Sequence, residues 1–151
     1  MMFCYNAIAV KVIAHRGASG MAPENTIAAV KAAIDLNVDI VEIDVHMSTD
    51  GEIFAFHDDS LERTTNGRGK IKNKDSHYLK QLDAGSWFDE KFRDEKIPTL
   101  SEILSLDFKE SKLIIEVKNV NNVYAGIEKR IFEIVKKGGF KSRVIDGQTQ
   151  Y

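Results

Sequence analysis

Glu42 and Asp44 stand two residues apart in the run from Ile40 to Val45, where the other residues are β-branched. Side chains on a strand alternate, so Ile40, Glu42 and Asp44 share one face, and Val41, Ile43 and Val45 share the other. Carboxylates set into an apolar run are costly to bury unless they are paired or bound to metal. The Asp50-Gly51 turn signal follows. Ile53 to Phe56 then leads into His57-Asp58, returning a histidine towards the pair. Two further reactive groups follow apolar runs. His15-Arg16-Gly17 comes after Val10 to Ala14, and Glu116 and Lys118 end the run that begins at Leu113.

Polar residues at the C-terminal ends of parallel strands are where α/β barrels and open sheets bind ligands. Three carboxylates, Glu42, Asp44 and Glu116, favour a hard divalent cation, calcium or magnesium. His15 and His57 then remain for proton transfer, because imidazole titrates near neutrality. Arg16 and Lys118 can hold an anion, and a phosphate suits a guanidinium well. Together these residues describe metal-assisted cleavage of a phosphate ester, with cations stabilising charge on the phosphoryl oxygens. The plainer alternatives are a satisfied core histidine, a buried ion network around Glu42 and Asp44, an Arg16 that braces a carboxylate, and a Lys118 that reaches solvent.

The elements that must position these groups follow in order. Val10 to Ala14 is expected as a first buried strand. Asn25 or Thr26 caps a helix with Ile27, Val30 and Ile34 on one stripe, and Asn37 closes it. Asp39 to Val45 is the second strand, and strand–helix–strand argues for a parallel βαβ unit. The link to Ile53 is too short for a crossover, so a hairpin around Asp50-Gly51 is expected, with Asp44 and His57 across from each other. His46 is expected in the loop, and His77 exposed. Residues 58–98 form a long insertion after this third strand. Leu61, Leu79, Leu82, Trp87 and Phe92 anchor it, Trp87 and Phe88 form a small core, and residues 89–96 are a solvated loop. Thr99 caps a short helix from Leu100 to Leu106. Leu113 to Val117 is a strand with Ile114, Glu116 and Lys118 on one face. Asn122 to Lys137 is an amphipathic helix with Val123, Ile127, Ile131 and Ile134 as its stripe, closed by Gly138-Gly139. Arg143 to Ile145 starts another strand, and polar residues follow.

The chain carries 29% charged and 43% apolar residues and a net charge of −2, which fits one globular domain without the basic footprint of a nucleic-acid binder. A single cysteine, Cys4, excludes an intrachain disulfide or a cysteine zinc cage and favours a reducing cytoplasm. No stretch is long and apolar enough to span a bilayer, and residues 1–12 read as the lead-in to a strand.

The sequence resembles the glycerophosphodiester phosphodiesterases. The matching residues, in order, are His15-Arg16-Gly17-Ala18, Pro23-Glu24-Asn25-Thr26, Glu42-Ile43-Asp44-Val45, Thr49-Asp50-Gly51, His57-Asp58 with Leu61 and Arg63-Thr64-Thr65, and Ile115-Glu116-Val117-Lys118. The resemblance implies an α/β fold of the TIM (β/α)8-barrel type. It implies Glu42, Asp44 and Glu116 as ligands of calcium or magnesium, His15 and His57 as general acid and base, and Arg16 and Lys118 as phosphate contacts. It places the insertion over the substrate. It further implies cleavage of glycerophosphodiesters to glycerol 3-phosphate and an alcohol, with a glycerol hydroxyl attacking phosphorus to give a cyclic phosphate that water opens. A full barrel takes about 250 residues, so residues 1–151 are expected to supply roughly its first half as a partial domain. Two other functions stay open. One is a related phosphodiesterase of the lysophospholipase D or sphingomyelinase D kind. The other is an inactive metal- or anion-binding remnant. Oligomeric state is open as well.

Overall fold

The computed structural model describes residues 10–140 and 144–145. Cys4, Arg143 and the polar residues after Ile145 lie outside them. The strands are β1 (Ile13–Ala14), β2 (Ile40–Met47), β3 (Ile53–Ala55), β4 (Lys112–Val117) and β5 (Val144–Ile145). The helices are α1 (Ile27–Asp35), α2 (Ser76–Leu79), α3 (Leu100–Leu104) and α4 (Ile127–Lys137). The parallel sheet runs β1-β2-β4-β5, and β3 returns antiparallel along β2.

The alternation along β2 divides the molecule. Val41, Ile43 and Val45 pack in the main core with Val30, Ala33 and Ile34 of α1, with Leu100, Ile103 and Leu104 of α3, and with Ile127 and Val135 of α4. Glu42, Asp44 and His46 point the other way, and all three are buried. Beta-branched residues on the helix side therefore hold the strand, while the acidic residues occupy the opposite side.

One edge of β2 is shared by two short strands. Residues Ile40 and Val41 pair with β1, and Val45 to Met47 pair with β3. Between them the Glu42 carbonyl accepts from Gly17 N–H and the Asp44 carbonyl accepts from Phe56 N–H, both at 3.0 Å. The chain leaving β1 and the chain leaving β3 thus meet over Glu42 and Asp44.

Thr26 is the N-cap of α1, and its hydroxyl accepts from Ala29 N–H. Asn37 takes the left-handed conformation after it. Thr99 and Glu102 form a reciprocal capping box on α3, which ends at Leu104 instead of Leu106. The insertion builds its own apolar cluster from Leu61, Ile71, Leu79, Leu82, Ala84 and Ile97, rooted on Phe54 and Phe56.

Several expectations are corrected. The first strand is two residues long, and Val10, Val12 and Ile13 are exposed, because only β2 flanks it among the described residues. The β2–β3 register sets Asp44 opposite Phe56, with His57 one residue beyond. β2 continues to Met47, so His46 lies in the strand, because the hairpin extends its pairing past Val45. Helix α4 begins at Ile127; Asn121 and Asn122 have positive φ, and Tyr124 is buried where Val123 was expected. Trp87 is exposed and stacks edge-on against Phe88, apart from the insertion cluster.

Gly17 makes a close approach that no other residue allows. Its φ is +74°, and a Cβ there would lie 2.7 Å from the Ala29 backbone carbon. Gly51 has φ +83° with open space around it. Gly17→Ala is expected to cost about 3 kcal/mol through overpacking and left-handed strain together, and Gly51→Ala about 1 kcal/mol through strain alone. Urea unfolding of both variants checks the order, and equal losses would contradict the packing argument.

Candidate functional site

Asp44 is fully buried and is held from three directions. Arg16 Nε lies 3.3 Å from Oδ2, and Asn25 Nδ2 donates to Oδ2 at 2.9 Å. Lys118 Nζ lies 2.9 Å from Oδ1, outside hydrogen-bond geometry. Asn25 also accepts the Asp44 backbone N–H at 3.0 Å through its side-chain oxygen. No strand pairs at that point of the β2 edge, so the amide supplies what a strand would have supplied. Asn25 reaches it with φ +58°, a left-handed conformation asparagine tolerates.

Glu42 accepts Arg16 N–H at 2.8 Å through Oε2, and His15 Nε2 lies 3.9 Å from the same oxygen. Its Oε1 is buried and has no hydrogen-bond donor. Burial pushes the Glu42 carboxyl above its ordinary value against the pull of the Arg16 amide, and the Asp44 charge adds to the rise. The β2–β4 register puts Glu116 beside Asp44. One oxygen each from Glu42, Asp44 and Glu116 lie within 4.8 Å of one another. Lys118 Nζ stands 2.5 Å from Glu116 Oε1. Burial alone would lower the lysine, but the bond to Glu116 and the nearby Asp44 carboxylate outweigh it and hold it above its usual value.

A chain of ion pairs joins this cluster to His57. Arg16 Nη1 donates to Glu24 Oε1 at 2.9 Å. Arg63 donates to both oxygens of Glu24, at 2.9 and 2.7 Å, and to both oxygens of Asp58, at 2.6 and 2.9 Å. Asp58 Oδ1 meets His57 Nδ1 at 2.6 Å. Hydrogen bonds from Arg63, and then from His57, hold Asp58 at about 2 against its partial burial. Burial would raise Glu24, but Arg63 and then Arg16 outweigh it and lower it. With Nδ1 engaged, His57 presents Nε2 as its free ring nitrogen.

All seven expected site residues lie around the β2 edge and the adjoining end of β4. Glu42, Asp44, Glu116 and Lys118 converge, and His15 adjoins Glu42. Arg16, expected as an anion contact, is braced between Glu24 and Asp44. The His57 side chain is joined to the cluster through the ion-pair chain. The residues that hold these groups are Asn25, expected as a helix cap, and Glu24, Asp58 and Arg63, expected only as parts of motifs. His46, expected in the loop, is fully buried. Its Nδ1 lies 2.8 Å from the Tyr124 hydroxyl and its Nε2 lies 3.0 Å from the His57 carbonyl oxygen. Burial holds it below its ordinary value, which favours the neutral ring. Its even spacing from Glu42 and Asp44 was the available signal. His77 is exposed, as expected.

Among the described residues no helix is long and apolar enough to cross a membrane. Residues 15–147 match the model of the glycerophosphoryl diester phosphodiesterase family. The chain is 45% identical over 135 residues to a glycerophosphodiester phosphodiesterase of Caldanaerobacter subterraneus, covering 89% of this chain and 56% of that protein. It is 38% identical to one from Bacillus subtilis, covering 85% and 46%. Among solved structures, a glycerophosphodiester phosphodiesterase from Agrobacterium tumefaciens superposes with a TM-score of 0.77 at 34% identity, over 90% of this chain and 56% of that one. An Oleispira antarctica phosphodiesterase, in complex with the product sn-glycerol-3-phosphate, gives 0.73 at 40% identity over 85% and 53%. The fold is therefore that of the TIM-barrel proteins it resembles, and the chain spans about half the length of the curated relatives it matches.

Asp58 sets a pH dependence. Its folded value of about 2 lies below the ordinary 3.8, so its pairing contributes stability that is complete above about pH 4 and is lost as the pH falls towards 2. Asp58→Asn is expected to be less stable near neutrality and to lose less across that acid window. Urea unfolding at a series of pH values checks this, and parallel curves for the two proteins would contradict it.

Proposed function

The chain belongs to the glycerophosphoryl diester phosphodiesterase family, and from that premise we propose that it forms the catalytic half of a metal-dependent phosphodiesterase. Its substrate class is the glycerophosphodiesters, and its products are glycerol 3-phosphate and an alcohol. The observation that carries the reading is Glu42 Oε1, a buried carboxylate oxygen with no donor, inside a group of three carboxylates. An anionic oxygen left bare in this way is costly unless a cation completes it. The all-carboxylate donor set suits calcium or magnesium.

Glu42, Asp44 and Glu116 would hold that ion, which would supply positive charge against the phosphoryl oxygens. Arg16 and Lys118 flank the same carboxylates and add cationic charge for the phosphate. The glycerol hydroxyl neighbouring the phosphate attacks phosphorus. One histidine of the pair His15 and His57 takes the hydroxyl proton, and the other protonates the departing alcohol oxygen. Water then opens the cyclic phosphate with the two roles exchanged. His57 works through Nε2, because Asp58 holds Nδ1 and orients the ring. A cytoplasmic location belongs to the same reading and rests on composition.

Hydrolysis of glycerophosphocholine by the purified chain, with calcium or magnesium and with chelator, tests this directly. Metal-dependent release of glycerol 3-phosphate is expected, with His57→Ala and His15→Ala each lowering kcat about 100-fold or more. An ion that raises the melting temperature without any hydrolysis would reduce the chain to a binding remnant. Hydrolysis indifferent to chelator would remove the metal from the reading. Lys118 supplies a second check. Its ammonium now sits against two of the three carboxylates, so it competes with a cation for them. Lys118→Met is expected to bind calcium about tenfold more tightly by titration calorimetry, from one fewer like charge at the site. Weaker binding would show that the lysine supports the ion.

A further inference from the structure

Neither proposed acid–base residue lies in a strand: His15 directly follows β1, whereas His57 comes two residues beyond β3. β3 ends at Ala55, and the last sheet bond on that side is Phe56 N–H to the Asp44 carbonyl. Beyond it the chain leaves for the insertion. The His57 carbonyl is met by the Nε2 of His46 at 3.0 Å. A carbonyl only accepts, so His46 Nε2 carries the proton. The other ring nitrogen, Nδ1, then accepts from the Tyr124 hydroxyl at 2.8 Å. Both nitrogens are spent, the ring is fully buried, and Phe56 and Tyr124 pack edge-on against it.

Tyr124 is fixed in its turn. Asn119 Oδ1 accepts Tyr124 N–H at 2.8 Å, and Asn119 Nδ2 donates to the Tyr124 carbonyl at 3.3 Å and to Glu128 at 2.9 Å. Asn119 directly follows Lys118. A continuous path therefore runs from the end of β4, which carries Glu116 and leads into Lys118, through Tyr124 and His46 to the backbone of His57.

We propose that His46 is a positioning residue, which sets the place of the His57 imidazole by holding the His57 carbonyl and takes its own orientation from Tyr124. The inference rests on the proposed role of His57 in proton transfer. The path makes the two sides of the site register with each other. β4 places Glu116 and the Lys118 that follows it, and the same strand's exit loop, acting through Tyr124 and His46, places the proton carrier. Transfer of a proton needs a heavy-atom separation of about 3 Å, so a fixed backbone at His57 matters to rate more than to substrate affinity.

Two substitutions separate the halves of the bridge. Glutamine carries an amide N–H near the position of Nε2 and keeps the bond to the His57 carbonyl. Asparagine carries an acceptor near the position of Nδ1 and keeps only the bond to Tyr124. Each leaves one buried polar group unpaired, so both are expected to lose similar stability. His46→Asn should lower kcat about 10- to 100-fold with KM and calcium affinity little changed, while His46→Gln should stay within about threefold of the parent. Ring-nitrogen NMR of His57 gives a reading independent of turnover. The parent and His46→Gln should show a single Nδ1–H tautomer facing Asp58, and His46→Asn a mixture. Tyr124→Phe keeps the ring volume and should give an intermediate mixture, which serves if the His46 variants do not fold. Equal losses in both His46 variants, with the His57 tautomer unmoved, would make His46 a core residue and overturn the proposal. Absence of hydrolysis in the parent would instead count against the enzymatic reading, and the tautomer comparison would still decide the positioning.

Discussion

The structure depends on how the charge of one fully buried carboxylate is compensated. Asp44 sits in the middle of the central strand, where an ionised oxygen is tolerated only with partners on every side. Arg16, Lys118 and Asn25 provide them from three separate segments: the turn after β1, the end of β4 and the approach to α1. Each segment is constrained by that demand. Arg16 and Asn25 both take positive φ to reach it, and the Arg16 guanidinium is then held in turn by Glu24. The charge therefore organises backbone conformation some distance along the chain.

The β2 edge explains why the site lies where it does. β1 stops at Ala14 and β3 begins pairing at Val45, so the edge between them is met by turns instead of a strand. Turns bring side chains of several types to one spot, whereas a paired strand would bring only alternating ones. The Asn25 amide fills the backbone vacancy at Asp44 N–H, and the Gly17 and Phe56 N–H groups fill those at the flanking carbonyls. On the opposite edge β4 pairs continuously, which brings Glu116 beside Asp44 through register alone.

Much of this was legible. Alternation from Ile40 to Val45 assigned the two faces correctly, and the Asp50-Gly51 turn gave the hairpin. The three carboxylates that converge were already marked by their places in two otherwise apolar runs. What was not legible depended on tertiary pairing. His46 was placed in a loop because the β-branched run ends at Val45, but the hairpin continues the strand to Met47. Helix periodicity carried α4 back to Asn122, whereas local asparagine geometry and the burial of Tyr124 delay it to Ile127. Apolar composition made Val10 to Ala14 a buried strand, although Val12 and Ile13 are exposed. Trp87 carried the same apolar signal, yet the insertion closes over aliphatic residues instead. Hydrogen-bond partners such as Glu24 and Arg63, separated by 39 positions, leave no periodic trace.

The insertion has an apolar cluster distinct from the one beneath the sheet. Proteins open in cooperative units, and separately packed clusters are natural boundaries for them. Asp58 and Arg63 belong to the insertion, while Glu42, Asp44 and Glu116 belong to the sheet. An excursion in which the insertion alone loosened would therefore leave the carboxylates assembled while His57 lost the group that selects its tautomer. Under the proposed function, cation capture and proton delivery would thus be allotted to parts of the chain that can melt at different free energies, and loosening of the insertion would cost the second before the first.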